Sequence, residues 1–317
     1  MKILIIQNRM GIGDMVIFLP FIEAISKEFN SPITLLTKES SKAKEYLSNS
    51  QYIEKIIDLK RNGNNDYHEG VIGFFRLKKD LEKFNFDKAF IFNSSARYNL
   101  VCKFAGIKKI YQYPLLKKNK QHIIDAAKDL LKKINLNVES NPKISIEKKL
   151  IINAKKKFNI NNEQTNILLG IGGSGSTKRT PSNILIQFMK LSLKDYDCKF
   201  FLATGNEKEE QEILNDIVST FNEKCVPLNN FSISETIPVI KNCKIAICND
   251  TSFSHLSAAL GIPTIVLMCD SPLLYGNYSS NMHPIIPDGM ETVSHNSRGK
   301  EKINPIKIFD KFKIIIK

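Results

Sequence analysis

At 317 residues the chain is long enough for two domains of ordinary size, and 42% hydrophobic with 25% charged residues describes a soluble globular protein. No run approaches the roughly 18 apolar residues of a membrane span, and the short apolar piece 15–22 follows Asp14 without a cleavage site, so no signal peptide is expected. The net charge of +14 favours acidic partners such as nucleotides, phosphorylated glycans or anionic membrane surfaces, although much of the excess is scattered Lys; without an Arg-rich cluster and interleaved aromatics, nucleic acid is not an expected partner.

Residues 2–6 read as a buried strand running into Gln7-Asn8-Arg9-Met10-Gly11-Ile12-Gly13-Asp14. A helix follows, with Ile17, Phe18, Phe21, Ile22 and Ile25 at helical spacing. A glycine turn between strand and helix lets a ligand approach the backbone. As a dinucleotide fingerprint it is incomplete, since Val16 stands where GxGxxG needs its third glycine, and this argues against a nicotinamide oxidoreductase. Asp14 falls in the first turn of that helix, on the side of the sheet where a cleft would open. Its charge also suits the helix dipole, so it can be a site residue or only a favourable helix start.

Alternation continues through strands at 33–36, 53–59, 88–92 and 109–113 and helices at 40–48, 74–84, 96–105 and 121–134, with a polar loop at 62–66. This order predicts a parallel α/β sheet with right-handed crossovers. Polar stretches at 135–142 and 155–164 mark an interdomain region, giving expected domains 1–155 and 156–317, with the final helix a candidate to pack back on the first domain. Arg76, Lys78, Lys79, Arg97, Lys117, Lys118 and Lys120 belong to the first half and either face an anionic acceptor or sit on a solvated surface.

The second half restarts the pattern with a strand at 166–171, a Gly/Ser loop at 172–177 ending in Lys178 and Arg179, and a helix at 182–193. A strand at 200–204 and helices at 207–221 and 233–241 follow, and an amphipathic helix spans 305–316. The loop glycines let backbone N–H groups converge on an anion with a cation directly after, though the spacing is not that of a Walker A loop. Between them comes the strand 244–248, then Asn249-Asp250-Thr251-Ser252-Phe253-Ser254-His255, a helix stopped by Gly261, and a strand at 264–268. A helix N-terminus at the carboxyl end of a parallel strand can hold a phosphate. The same residues can simply cap the helix, and taken alone they leave both readings standing.

The six cysteines, Cys102, Cys198, Cys225, Cys243, Cys248 and Cys269, have no CxxC spacing and read as buried thiols of a reducing cytoplasm. No zinc-ligand set appears among the five histidines, and Asp195-Tyr196-Asp197 precedes a strand, at the wrong edge for a metal–nucleotide site.

Taken together, these motifs resemble glycosyltransferase family 9, the ADP-heptose:lipopolysaccharide heptosyltransferases and their relatives. The resemblance is carried by Gly13-Asp14, the Gly/Ser loop with Lys178-Arg179-Thr180-Pro181, Thr204-Gly205 before an acidic helix, Asn249-Asp250-Thr251 with His255, Ala258-Ala259-Leu260-Gly261-Ile262-Pro263, and Asp270-Ser271-Pro272 with Gly276 and Tyr278. It implies a GT-B architecture, two Rossmann-like parallel-sheet domains facing across a cleft, the first binding acceptor and the second nucleotide-sugar. It implies a cytoplasmic, inverting, metal-independent transfer of a heptose from ADP-heptose to a lipopolysaccharide core or other surface glycan, with no cofactor. Asp14 would be the catalytic base and Lys178 would neutralise the leaving diphosphate. Donor contacts would come from Gly13, Gly173, Ser174, Ser176, Asp250, Thr251, Ser252 and Phe253, with Glu209 at the ribose, Phe231 on the base and His255 behind Asp250. Arg76, Arg97 and Lys120 would face an anionic glycolipid acceptor. The chain would be a monomer in peripheral contact with the inner membrane. Two positions depart from the family pattern: Ser252 replaces a usual glycine and Thr180 a usual tryptophan. The alternatives are a GT-B transferase using a UDP- or GDP-sugar and a non-catalytic nucleotide- or glycan-binding homologue.

Overall fold

The computed structural model, which describes residues 1–61, 63, 66–115 and 122–317, forms two compact units, Met1–Pro142 and Lys143–Lys317. In the first unit, β1 (Ile3–Gln7), α1 (Ile12–Glu28), β2 (Ile33–Thr37), α2 (Ala43–Tyr46), β3 (Ile53–Asp58), α3 (Gly70–Glu82), β4 (Lys88–Ile91), α4 (Ala96–Phe104), β5 (Lys109–Gln112) and α5 (Ile123–Lys132) follow in order. The strands make one sheet in the order β3-β2-β1-β4-β5, every pair parallel. Every residue of the central β1 is buried, as an apolar run covered on both faces should be. Phe18 and Phe21 of α1 pack their rings on Phe92, 5.0 and 6.3 Å away, and close one face. Leu77 and Leu81 of α3, with Tyr98, Val101 and Cys102 of α4, cover the other.

The second unit runs α6 (Lys148–Lys157), β6 (Thr165–Gly170), α7 (Ser182–Asp195), β7 (Cys198–Ala203), α8 (Lys208–Phe221), β8 (Cys225–Pro227), α9 (Ile233–Lys241), β9 (Ile245–Asn249), α10 (Ser252–Ala259), β10 (Thr264–Leu267), β11 (Met282–Ile285) and α11 (Pro305–Ile316). Its sheet is also wholly parallel, in the order β11-β10-β9-β6-β7-β8. The division after Pro142 falls earlier than the expected 155/156. Residues 143–157 belong with the second unit because the Ile144 N–H bonds the Ala259 carbonyl at 2.8 Å and the Asn242 amide bonds the Ile151 carbonyl at 3.0 Å. The last helix packs on its own unit's core: the Phe312 ring meets Phe188 at 5.7 Å and Tyr196 at 5.4 Å.

Two strands escape the pattern reading. Pro227 and Pro284 interrupt β8 and β11, and these are the two edge strands of the sheet, where a missing N–H is tolerated. All six cysteines are unbridged, and burial pushes the thiols of Cys102, Cys198, Cys225 and Cys248 up to about 12. Asp197 bonds Lys224 and Gln164 at the start of β7, as a turn residue would. No described helix is long and apolar enough to cross a membrane, and no described group of His, Cys, Asp and Glu gathers as metal ligands.

Candidate active site

In the second unit Lys178, Asp250 and His255 meet at the carboxyl ends of β6 and β9, which are paired neighbours. Asn249 ends β9 and is 1% exposed. Its amide donates to the carbonyls of Ile171 and Gly172 at 3.0 and 3.1 Å, and its Oδ1 accepts from the Thr180 N–H at 3.2 Å and hydroxyl at 2.7 Å. One buried side chain thereby ties both ends of the Gly/Ser loop to the neighbouring strand. This also explains Thr180, whose hydroxyl is fully buried and bonded inward.

Asp250 follows and is buried. Lys178 Nζ lies 3.0 Å from its Oδ2, and the Ser271 hydroxyl donates to the same oxygen at 2.5 Å. His255 Nε2 stands 3.6 Å from Oδ1, and His255 Nδ1 is 2.8 Å from the Tyr278 hydroxyl. Burial opposes ionisation of this carboxyl, but His255, Lys178 and Ser271 outweigh it and hold it well below the usual carboxylate range. The result is an ionised carboxylate that fixes an ammonium group, with Lys178 itself about one-fifth exposed.

Thr251 caps α10. Its hydroxyl accepts from the Phe253 N–H at 3.2 Å, and Ser254 returns a bond to the Thr251 N–H in a capping box. Ser252 takes the first helical position, where a side chain meets no conformational penalty, and Thr251, Ser252 and Phe253 are all partly exposed. His255 lies one turn further on, beneath Asp250.

The Gly/Ser loop differs from its sequence reading. The anion its glycines accommodate is the chain's own: Glu210 Oε1 accepts from the Gly173 N–H at 2.8 Å. A Cβ at Gly172 would lie 2.7 Å from Glu210 Oε1, and one at Gly205 2.5 Å from Oε2, so both glycines make room for this carboxylate. Arg179, read as a cation for phosphate, is instead 3% exposed. It donates to the Gly173 carbonyl from Nε and Nη2 at 3.1 and 2.8 Å, pairs with Glu209 at 2.7 Å and with Glu207, and lies 3.6 Å from Glu210. Lys300 reaches in to Glu209 at 3.3 Å and to the Ser176 carbonyl at 2.9 Å. The loop is thus pinned by charges from outside it, with Ser174 and Ser176 exposed. Phe231 sits just before α9, its ring 5.1 Å from Phe158 and 4.7 Å from Lys157 Nζ.

In the first unit, Gly13 and Asp14 lie in the first turn of α1, at the carboxyl end of β1. Arg9 Nε donates to Asp14 Oδ1 at 2.8 Å, both side chains being part-exposed. His122 caps α5, accepting from the Ile124 N–H. Burial lowers its pKa first; Asp125 and Asp14 push it up and Arg9 down, which places His122 in the same field as the Arg9–Asp14 pair. The Tyr113 hydroxyl, buried and without a hydrogen-bond partner among the described residues, also feels Arg9. A polar network joins Asn93 to Asn8 at 3.2 Å and Gln112 to the carbonyls of Asn93 and Ser95. Arg76 lies elsewhere, on α3 over the Tyr67 ring, and Arg97 of α4 bonds the His68 carbonyl at 2.8 Å. Among the described residues no hydrogen bond or ion pair joins either to Asp14. Lys117, Lys118 and Lys120 lie outside the described residues.

Glu210, Asn249, Ser271, Tyr278 and Lys300 help to build the second-unit site and are not among the site residues expected from the sequence. Ser271 bonds Asp250, Tyr278 bonds His255, Glu210 accepts from the Gly173 N–H and Lys300 reaches Glu209, each across more than 20 residues of chain, and no local spacing encodes those pairings.

The model of the family described as glycosyltransferase family 9 (heptosyltransferase) matches residues 75–286, more than half of the chain. Lipopolysaccharide heptosyltransferase 1 of Campylobacter coli is 30% identical over 150 residues, 46% of this chain. The match spans only 43% of that protein's length. The E. coli ADP-heptose LPS heptosyltransferase II has a TM-score of 0.78 at 18% identity, over 100% of this chain and 98% of that one. An E. coli heptosyltransferase with ADP has a TM-score of 0.72 at 16% identity, over 99% of this chain and 100% of that one. These likenesses show the fold, a pair of parallel-sheet Rossmann-like units of GT-B type. On the family match, the chain belongs to glycosyltransferase family 9.

Proposed function

We propose that this protein is an inverting, metal-independent glycosyltransferase that moves a heptose or related sugar from ADP-heptose onto a lipopolysaccharide core or other cell-surface glycan. The observation that carries the reading is the Lys178 ammonium, held 3.0 Å from a buried, ionised Asp250 beside the N-terminus of α10. A fixed cation and a helix start at one sheet edge suit a diphosphate that gains charge as it leaves.

In this reading the first unit binds the acceptor and the second the nucleotide-sugar. The Asp14 carboxylate takes the proton of the acceptor hydroxyl as its oxygen attacks the anomeric carbon. The bond from that carbon to the diphosphate oxygen breaks, its electron pair leaving with ADP, and the configuration inverts. Lys178, the backbone at Thr251, Ser252 and Phe253, and the hydroxyls of Ser174 and Ser176 receive the phosphates. Asp250 is itself anionic and repels phosphate, so its ligand role is to accept from a sugar hydroxyl while it holds Lys178. His255 supports Asp250 from behind. Glu209, steadied by Arg179 and Lys300, accepts from the ribose, Phe231 packs on the base, and Gly13 and Gly173 leave room for the donor. Arg76 and Arg97 serve the anionic glycolipid acceptor, as would Lys120, which lies outside the described residues. The protein works as a monomer at the inner face of the cytoplasmic membrane.

The test is a thermal-shift series with ADP-heptose, ADP, UDP-sugars and GDP-sugars, followed by transfer to a core acceptor with and without a chelator. ADP-heptose at 100 times its Kd should stabilise the fold by about 2.7 kcal/mol, and the chelator should leave the rate unchanged. Stabilisation by UDP- or GDP-sugars alone would reassign the donor, and binding without turnover would make the chain a binding homologue.

A further inference from the structure

We infer that the outer faces of α3 and α4 form the surface by which this protein seats on an anionic phospholipid bilayer. This deepens the membrane contact proposed above and rests on it. Val71, Ile72 and Phe75 of α3 are 76%, 69% and 61% exposed, and Leu100 and Phe104 of α4 are 44% and 62% exposed. Phe74 joins the two sets, its ring 5.3 Å from Phe75 and 6.0 Å from Phe104. The opposite face of α3, with Gly73, Leu77 and Leu81, is buried, so the helix is apolar on both sides over its first two turns. It is also seated firmly: Gly73 packs so close to His68 that a Cβ there would fall 2.2 Å from the His68 carbonyl carbon. A contiguous apolar patch on a rigid helix pair marks an interaction surface.

The charge around the patch selects the partner. Arg76 and Lys79 follow Ile72 and Phe75 at i+4 on the exposed side of α3, and Lys103 is exposed beside Phe104. The carboxylates of α3 are engaged by their own neighbours, Asp80 by His68 and Lys83 and Glu82 by Lys78. Helix α4 has none. A second copy of the chain docking on the same patch would bring these cations face to face across a two-fold axis. An anionic bilayer offers acyl chain to Val71, Ile72, Phe75 and Phe104 and phosphate to the basic rim.

The experiment is co-sedimentation of the full chain with vesicles of phosphatidylcholine and phosphatidylglycerol, against vesicles of phosphatidylcholine alone. Wild type should partition onto the anionic vesicles, less so as salt is raised. The triple variant Ile72→Ser/Phe75→Ser/Phe104→Ser should lose about ten-fold or more in partitioning with its Tm unchanged, since all three side chains are exposed. Lys79→Glu/Lys103→Glu should lose on the order of five-fold per position. Transfer to a water-soluble acceptor fragment should be the same in all of them. Equal partitioning of wild type and the triple variant overturns the inference. So does absence of wild-type binding to anionic vesicles, or a wild-type dimer in light scattering that the triple variant abolishes. If vesicle binding fails while transfer to the soluble acceptor persists, the docking surface falls and the transferase reading stands.

Discussion

Replacing Asp250 by Asn keeps the shape of the site and removes its charge. The carboxylate is 7% exposed and holds Lys178 at 3.0 Å and Ser271 at 2.5 Å on one oxygen. Hydrogen bonds to a charged group are worth roughly 1.5–3 kcal/mol each, but an amide oxygen still accepts from both donors, so the loss is smaller than the sum. A cost of about 2–3 kcal/mol follows, or a fall in Tm of roughly 4–12 °C for a domain of this size. The pH dependence carries the sharper signature. The folded-state pKa of Asp250 is depressed below its unfolded value of about 3.9, so its stabilisation is fully present above about pH 4 and is lost as the pH falls through the folded value. Calorimetric melts of wild type and Asp250→Asn should therefore differ at neutral pH and converge in acid. Equal melting at neutral pH, or a gap that persists undiminished in acid, would refute the assignment of Asp250 as the ionised anchor of Lys178.

Asn249→Ala should destabilise the protein by about 2–4 kcal/mol in urea unfolding, because it strands buried donors and acceptors at Ile171, Gly172 and Thr180. Gly205→Ala places a Cβ 2.5 Å from Glu210 Oε2 and should cost roughly 1–3 kcal/mol while weakening donor affinity, read by melting and ligand titration. Lys178→Met should lower kcat by roughly 10²–10³-fold in steady-state kinetics, the range for removing one group that stabilises developing charge. A fall of less than about ten-fold would separate Lys178 from the leaving group.

The strand–helix alternation was legible because apolar runs of strand length and helical spacings are local signals, and α9 and α11 appear at the boundaries expected. The edge strands β8 and β11 were not, because Pro227 and Pro284 remove the pattern that an edge position permits. Asp14, Asp250, Thr251 and Lys178 announce themselves through turns and caps next to strands. Arg179 misleads for the opposite reason. Its place after Lys178 suggests a phosphate contact, while its actual partners, Glu207, Glu209 and Glu210, enter from the helix after the next strand. The loop glycines likewise look like a cradle for a ligand, and two of them, Gly172 and Gly173, instead serve Glu210. Residue types that suit an external anion suit an internal carboxylate equally well, and only the fold decides between them.

Whether Asp14 takes the acceptor's proton is read from Asp14→Asn, with turnover and donor binding measured on the same preparation. A proton-accepting Asp14 gives a loss of kcat of about 10²–10⁴-fold with the ADP-heptose thermal shift retained. Turnover within a few-fold of wild type, or a variant that fails to bind donor at all, would contradict it.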